Sequence, residues 1–82
     1  LEIYPNPFNP KTTIRYYLPE SSKIKIKLYD MMGKIIKTIV NDYHEAGIYE
    51  KNIDATELSS GVYTIVLETG NNIISKKLKL IK

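Results

Sequence analysis

The chain has 82 residues, of which 43% are hydrophobic and 26% charged, and its net charge is +3. These values describe one folded domain and exclude wholesale disorder. The absence of cysteine and the single histidine exclude a disulfide framework, a cysteine-based zinc site and a cysteine nucleophile, and no enzyme is expected. No apolar run approaches the roughly 18–20 residues of a membrane-spanning helix.

The N-terminal stretch is rich in proline. Residues 1–10, here called the proline segment, hold three of the four prolines, in the run Tyr4-Pro5-Asn6-Pro7-Phe8-Asn9-Pro10. Proline lacks an N–H and restricts the residue before it, so this segment is predicted to be rich in turns. The remainder, residues 11–82, is predicted to form a β-sandwich, and Phe8 is expected to plug one end of its core.

Two strands with strict alternation follow. The first covers residues 12–18, with Ile14, Tyr16 and Leu18 on one parity. The second has an apolar face and a lysine face, made of Ile24, Ile26 and Leu28 and of Lys23, Lys25 and Lys27. Exposed lysines of this kind also discourage pairing with another chain.

A hairpin turn is predicted at Asp30-Met31-Met32-Gly33. The Asp30 carboxylate suits backbone N–H groups of a turn, and Gly33 suits a positive φ. The next strand, residues 34–40, contains the doublets Ile35-Ile36 and Ile39-Val40, so its parity stays open unless a bulge reconciles them.

The second half of the chain continues the pattern. Residues 41–47 are predicted as a loop and 48–53 as a weaker strand, followed by a connection in which Leu58 points inward. Gly61 begins the most β-prone run, residues 61–68, where Tyr63, Ile65 and Leu67 share one face and the Tyr63 hydroxyl is expected to find a partner. After a turn at residues 70–72, the closing strand runs to residue 81, with Leu78 and Leu80 facing opposite to Lys77 and Lys79.

These elements define the fold class. No stretch of ten residues shows a convincing helical period, and turn signals recur every 8–12 residues. The sequence therefore predicts an all-β protein, an antiparallel immunoglobulin-like β-sandwich of six or seven strands.

Five motifs occur in a recognisable order: the proline segment followed by Thr12-Thr13-Ile14, then Leu28-Tyr29-Asp30-x-x-Gly33, Ala46-Gly47, Leu58-x-Ser60-Gly61-Val62-Tyr63, and Lys77-Leu78-x-Leu80-x-Lys82. Together they resemble the type A C-terminal sorting domain of the type IX secretion system, over essentially the whole chain. A more distant likeness is to the immunoglobulin-like domain of flagellar hook-capping proteins.

The resemblance implies a domain that is recognised and removed and does not catalyse a reaction. It would direct a cargo through the periplasm and across the outer membrane to the cell surface or the medium. The implied partners are the type IX translocon, shuttle and sortase proteins and an upstream cargo domain, with no cofactor, metal or nucleic acid. Because the chain begins at Leu1 instead of Met, we expect a single domain cut from a longer secreted protein.

The resemblance also directs the choice of site residues. The candidates for partner recognition are Lys76, Lys77, Lys79 and Lys82, acting by strand addition or by docking of their charges, unless they simply form a solvated face. The other motif residues are expected to serve the fold, and the first four also to fix a cleavable linker: Tyr4, Pro5, Asn6, Pro7, Asp30, Gly33, Gly61 and Tyr63.

Other function classes remain open on the sequence alone. They are a non-catalytic immunoglobulin-like spacer, a glycan-binding accessory module of a secreted hydrolase, and a flagellar hook-type scaffold domain. The glycan hypothesis depends on tyrosines such as Tyr17 and Tyr29 being exposed. A calcium site made of Asp42, Asp54 and Glu57 is not expected, because these residues lack the dense spacing of a calcium loop.

Overall fold

The computed structural model describes residues 1–7 and 10–81, and the expectation for Phe8 lies outside these residues. Seven strands make up its regular structure: β1 (Glu2–Tyr4), β2 (Lys11–Leu18), β3 (Ser22–Tyr29), β4 (Ile35–His44), β5 (Gly47–Asp54), β6 (Gly61–Glu68) and β7 (Ile73–Leu80). They form two antiparallel sheets, ordered β1-β2-β5 and β4-β3-β6-β7. The predicted all-β sandwich of six or seven strands is confirmed.

The core lies between the two sheets and follows the alternation of the sequence. Strands β2, β3 and β6 contribute every second side chain over most of their length, because successive residues of a strand point to opposite faces. The most buried side chains are Ile14, Tyr16, Leu18, Ile24, Ile26, Leu28, Ile65, Leu67, Leu78 and Leu80. Leu58, from the connection between β5 and β6, packs against this core as predicted.

The strand order is that of an immunoglobulin-like sandwich with one change. In the seven-stranded constant-type domain, the first, second, fifth and fourth strands form one sheet, and the third, sixth and seventh form the other. Here β4 lies beside β3, at the edge of the four-stranded sheet. The terminal strand β7 forms the opposite edge of that sheet, so one side of its backbone has no neighbouring strand among the described residues.

The proline segment contains a strand that the sequence pattern did not reveal. Residues Glu2–Tyr4 form β1, in which Ile3 pairs with Ile14 of β2 and packs against the core. After β1 the chain passes to the other sheet, where Asn6 bonds to β7. The proline segment therefore connects the two sheets along one side of the sandwich.

The fourth strand differs from the prediction at its end and agrees with it in the middle. The predicted loop over residues 41–47 is wrong for its first part, because β4 continues to His44 and pairs with the beginning of β3. The pairing skips Ile36 and Ile39, which lie at two register shifts. These bulges reconcile the two apolar doublets, as the sequence suggested.

Candidate functional site

The terminal strand β7 carries most of the candidate recognition residues. In its pairing with β6, Leu78 lies opposite Tyr63 and is buried, whereas Lys77 lies opposite Thr64 and is exposed. Lys79 lies opposite Val62 on the same outer face as Lys77. Since parity decides the face, these two lysines point away from the core together.

The other two candidates do not share this face. Lys76 pairs with Ile65, which is fully buried, so Lys76 has the inward parity although its side chain is exposed. Lys82 lies outside the described residues. The structure therefore brings together Lys77 and Lys79 and leaves Lys76 apart from them.

The outer face of the four-stranded sheet unites two lysine clusters that are distant in sequence. Lys27 pairs with Val66 and Lys25 with Glu68, so both lysines of β3 project from the same face as Lys77 and Lys79. We call these four residues the outer lysine face: Lys25, Lys27, Lys77 and Lys79. The two clusters are separated by β6, whose outward side chains are mainly Val62, Thr64 and Val66.

A shallow groove of about 670 Å³ lies on this face. Its floor includes Val62 and Val66 of β6, and Lys77 stands at its border. The turn between β3 and β4 closes another side with Met31, whose side chain is 77% exposed. The face therefore combines an apolar strip with positive charge, which suits a partner that has apolar and acidic groups.

The proline segment is fastened to both sheets. Thr12, a buried residue of β2, donates a hydrogen bond from its hydroxyl to the Pro5 carbonyl oxygen over 2.9 Å. The Tyr4 hydroxyl donates to the Glu50 carboxylate, and this bond raises the pKa of Tyr4 because it stabilises the neutral phenol. The peptide bonds before Pro5 and Pro7 are both cis.

Asn6 reaches the free edge of β7. Its side-chain Nδ2 donates to the Lys77 carbonyl oxygen over 3.1 Å, and its Oδ1 accepts from the Lys79 N–H over 3.0 Å. One amide thus satisfies a donor and an acceptor of β7 at the same time, as a neighbouring strand would. We call this pair of bonds the Asn6 bridge.

Asp30 and Gly33 build the turn between β3 and β4. The Asp30 carboxylate accepts from the backbone N–H groups of Met32 and Lys34, over 2.9 and 3.0 Å. Gly33 donates its N–H to the Asp30 carbonyl oxygen and has a φ of 80°, which side chains with a Cβ rarely adopt. Both residues therefore contact the backbone of their own turn.

Gly61 and Tyr63 lie at the start of β6. The Tyr63 ring is 8% exposed, and its hydroxyl donates to the Ser59 carbonyl oxygen over 2.6 Å. This arrangement matches the tyrosine corner of immunoglobulin-like sandwiches, which fixes the chain where it crosses between sheets. Gly61 has a φ of 158°, and no atom lies within 4 Å of the position that a Cβ would take.

The remaining acidic residues and His44 make local contacts. The described residues contain no group of three histidine, cysteine, aspartate or glutamate side chains that could hold a metal ion. The pKa of Asp54 is lowered because the Thr56 hydroxyl and its N–H, the latter over 2.9 Å, both donate to its Oδ1. His44 contacts the Tyr49 ring edge-on, with centroids 4.5 Å apart, so it packs as an aromatic residue.

The Asn6 bridge is the feature of this site that sequence reasoning missed. It joins residues more than 70 positions apart, and no local pattern indicates such a contact. The sequence shows only an amide side chain between two prolines, which has no regular strand or helix of its own to join and does not indicate β7 as its partner.

The chain is similar to a known protein family. A model of the secretion system C-terminal sorting domain matches residues 2–82. No curated protein matches the chain. In the part of the chain that the structure describes, no helix is long and apolar enough to cross a membrane.

Domains of the matched family are C-terminal signals for type IX secretion, which carries proteins across the outer membrane to the cell surface or the extracellular space. Such a domain is a signal and is not itself catalytic. Since the match covers nearly every residue, the chain belongs to the family of secretion system C-terminal sorting domains.

Proposed function

We propose that the type IX export machinery recognises this sorting domain on its outer lysine face. The observation that carries the proposal is the convergence of Lys25 and Lys27 of β3 with Lys77 and Lys79 of β7 on one open sheet face. Charges on an exposed face steer a partner of opposite charge, and the apolar strip between them supplies area to bury. Lys76 and Lys82 remain candidates beside these four.

The geometry favours docking of charges over strand addition at this end of β7. Strand addition needs free backbone groups on the edge, and Asn6 already occupies the Lys77 carbonyl and the Lys79 N–H. The side chains of Lys77 and Lys79 are exposed, by contrast. We therefore assign recognition to the lysine side chains in this half of the strand.

The proposal extends to the roles that the family implies. Residues 1–82 act as one sorting domain of a longer secreted protein, and the cargo lies upstream. After translocation, shuttle and sortase proteins remove the domain and attach the cargo to the cell surface. The proline segment, fastened by Thr12 and Asn6, holds the linker at a fixed place relative to the outer lysine face.

Charge reversal on β7 tests the proposal. Residues 1–82 are fused to a reporter in a host with type IX export, and the reporter on the cell surface is quantified. The double variant Lys77→Glu/Lys79→Glu is expected to lose at least about tenfold of surface reporter, because two attractions become repulsions. Its thermal unfolding is expected to stay unchanged, since both side chains are exposed.

The matched control is Lys37→Glu/Lys51→Glu, which changes the net charge equally on exposed residues of β4 and β5. This control is expected to be exported normally. Equal impairment of both double variants, or normal export of the β7 variant, would contradict the proposal.

Lys82 needs a separate variant. Removal of residues 76–82 would delete Leu78 and Leu80 from the core, so loss of export could reflect unfolding. The single substitution Lys82→Glu leaves both leucines and Ile81 in place. A loss of surface reporter with unchanged unfolding would place Lys82 in the recognised surface, and normal export would remove it from the proposal.

The glycan-binding alternative gains no support from the positions of the tyrosines. Tyr17 is 65% exposed but lies on β2 in the three-stranded sheet. Tyr29 lies on β3 in the other sheet, on its outer face. Because the two rings belong to opposite outer faces of the sandwich, they do not form one platform for a sugar.

A further inference from the structure

We infer that the free edge of β7 is a self-pairing surface, onto which the β7 of a second copy of this chain fits, and that Asn6 keeps this surface closed. The inference does not depend on the proposed function. It starts from the two bonds of the Asn6 bridge and from the side chains along the edge. An unprotected edge strand is a template for pairing with another chain, and proteins protect such edges in specific ways.

The bridge shows which backbone groups face the edge. In an antiparallel pair, alternate residues direct both N–H and C=O to the neighbouring strand, and the residues between them direct both away. Asn6 binds the Lys77 carbonyl and the Lys79 N–H, so the odd-numbered residues of β7 face away from β6. The groups available for a new strand are therefore those of Ile73, Ser75, Lys77 and Lys79.

Asn6 imitates the strand that would bind there. Its carboxamide carries a donor and an acceptor, as a peptide group does, and places both within 3.1 Å of β7. The bond from Thr12 to the Pro5 carbonyl holds the preceding residue against β2. The backbone that carries the Asn6 side chain is therefore anchored to the opposite sheet.

The side chains of β7 favour a register centred on Ser75 over one centred on Lys77. If two copies pair antiparallel about Ser75, Lys77 lies opposite Ile73 of the second copy and Lys76 lies opposite its Ile74. Ile73 and Ile74 are 72% and 41% exposed, so this register buries apolar surface beside the lysine stems. A register centred on Lys77 would place this lysine against itself, which is unfavourable.

The Asn6 bridge blocks the favourable register. Pairing of Lys77 with Ile73 of a second copy requires the Lys77 carbonyl as an acceptor, and Asn6 Nδ2 already occupies it. The Asn6 Oδ1 likewise occupies the Lys79 N–H, so neither backbone group is available to an incoming strand. Only the pairing around Ser75 would remain, which is too short to hold two molecules together.

The test is the oligomeric state of the 82-residue chain, measured by sedimentation equilibrium over about 0.01–1 mM, where weak dimers are resolved. The wild-type chain is expected to stay monomeric. Asn6→Ala is expected to form a reversible dimer with a dissociation constant at least tenfold lower than that of the wild type. Asn52→Ala is the matched control, because it removes an amide that accepts from Thr13 on the other sheet and is expected to remain monomeric.

A second substitution tests the register. Proline at residue 75 removes an N–H that faces the edge and spares the bonds to β6, as edge strands tolerate. Asn6→Ala/Ser75→Pro is therefore expected to return to the monomer. A dimer that persists in this variant would overturn the assignment of the interface to β7.

Two further outcomes would overturn the inference. One is an Asn6→Ala chain that stays monomeric while hydrogen exchange at the Lys79 amide has become fast, because the edge is then open and unused. The other is a wild-type chain that dimerises as tightly as Asn6→Ala. If Asn6→Ala does not fold, the oligomeric state of Asn6→Asp is measured instead. This variant keeps the acceptor for the Lys79 N–H and leaves the Lys77 carbonyl without its donor. A monomeric Asn6→Asp chain would contradict the inference.

Discussion

Two buried tyrosines of this sandwich use their hydroxyl groups differently. The Tyr63 hydroxyl donates to the Ser59 carbonyl over 2.6 Å. The Tyr16 hydroxyl, on β2, is buried and has no hydrogen-bond partner among the described residues. The same substitution, tyrosine to phenylalanine, should therefore have different effects at the two positions.

Tyr63→Phe is expected to lower the free energy of unfolding by about 0.5–1.5 kcal/mol, the usual net value of one hydrogen bond. The ring still fills the core, so the loss measures the bond to Ser59. Urea denaturation of the purified domain provides the measurement. Tyr43→Phe is the control on a tyrosine that is 62% exposed, and an equal loss there would show that the corner bond contributes nothing specific.

Tyr16→Phe is expected to leave the free energy of unfolding unchanged or higher at neutral pH, because it removes a buried polar atom without breaking a bond. The variant also affects the response to alkaline pH. Burial, followed by the neighbouring Tyr49, raises the pKa of Tyr16 in the folded state. The unfolded chain then releases the phenolic proton first as the pH rises.

The raised pKa of Tyr16 in the folded state contributes to stability. This contribution is fully present below about pH 10, the ordinary pKa of tyrosine, and is lost as the pH rises from there through the folded-state pKa. Urea denaturation between about pH 8 and pH 11 should therefore show a smaller alkaline loss for Tyr16→Phe than for the wild type. Parallel losses in the two proteins would exclude Tyr16 as a source of the pH dependence.

Among the strands, those with a strict alternation of apolar and polar residues were the ones that the sequence could predict. Strands β2, β3 and β6 bury one parity along most of their length, and β7 does so at Leu78 and Leu80, so their sequences carry the period of a strand. Strand β1 has only three residues and depends on its pairing with β2. The end of β4 exposes residues 41–43, so pairing with β3 stabilises it without an apolar pattern.

The site was predictable only in part, for a related reason. The lysines of β3 and of β7 were each visible as alternating faces. Their union required the strand order β3-β6-β7, which short alternating segments do not specify. The Asn6 bridge lay beyond prediction because it depends on the path of the proline segment from one sheet to the other.

The hairpin that joins β3 to β4 depends on one carboxylate. Asp30→Ala is expected to lower the free energy of unfolding by about 1–2 kcal/mol, since the N–H groups of Met32 and Lys34 lose a charged acceptor. Asp30→Asn retains an acceptor oxygen and is expected to lose less. Thermal and urea unfolding measure both variants. An equal loss for Ala and Asn would assign the whole effect to the charge, and no loss in either variant would contradict the prediction.

At the scale of the whole molecule, charge is distributed unequally between the two outer faces. Five lysines of the four-stranded sheet share a face with Glu68: Lys23, Lys25, Lys27, Lys77 and Lys79. On the three-stranded sheet, Arg15 lies between Glu2 and Glu50 in one cross-strand row, so opposite charges alternate there. A modest net charge of +3 thus gives the domain a positive side, which would orient it toward an acidic partner.

The Asn6 bridge also determines how the domain would respond to mechanical load. It ties residue 6 to residues 77 and 79, so the first and last segments of the chain meet at one side of the sandwich. Tension applied through the N-terminus would reach the three-residue pairing of β1 and then the Asn6 bridge. The longer pairing between β6 and β7 would carry that tension only afterwards. The proline segment would act as a release point that yields before the terminal strand is disturbed.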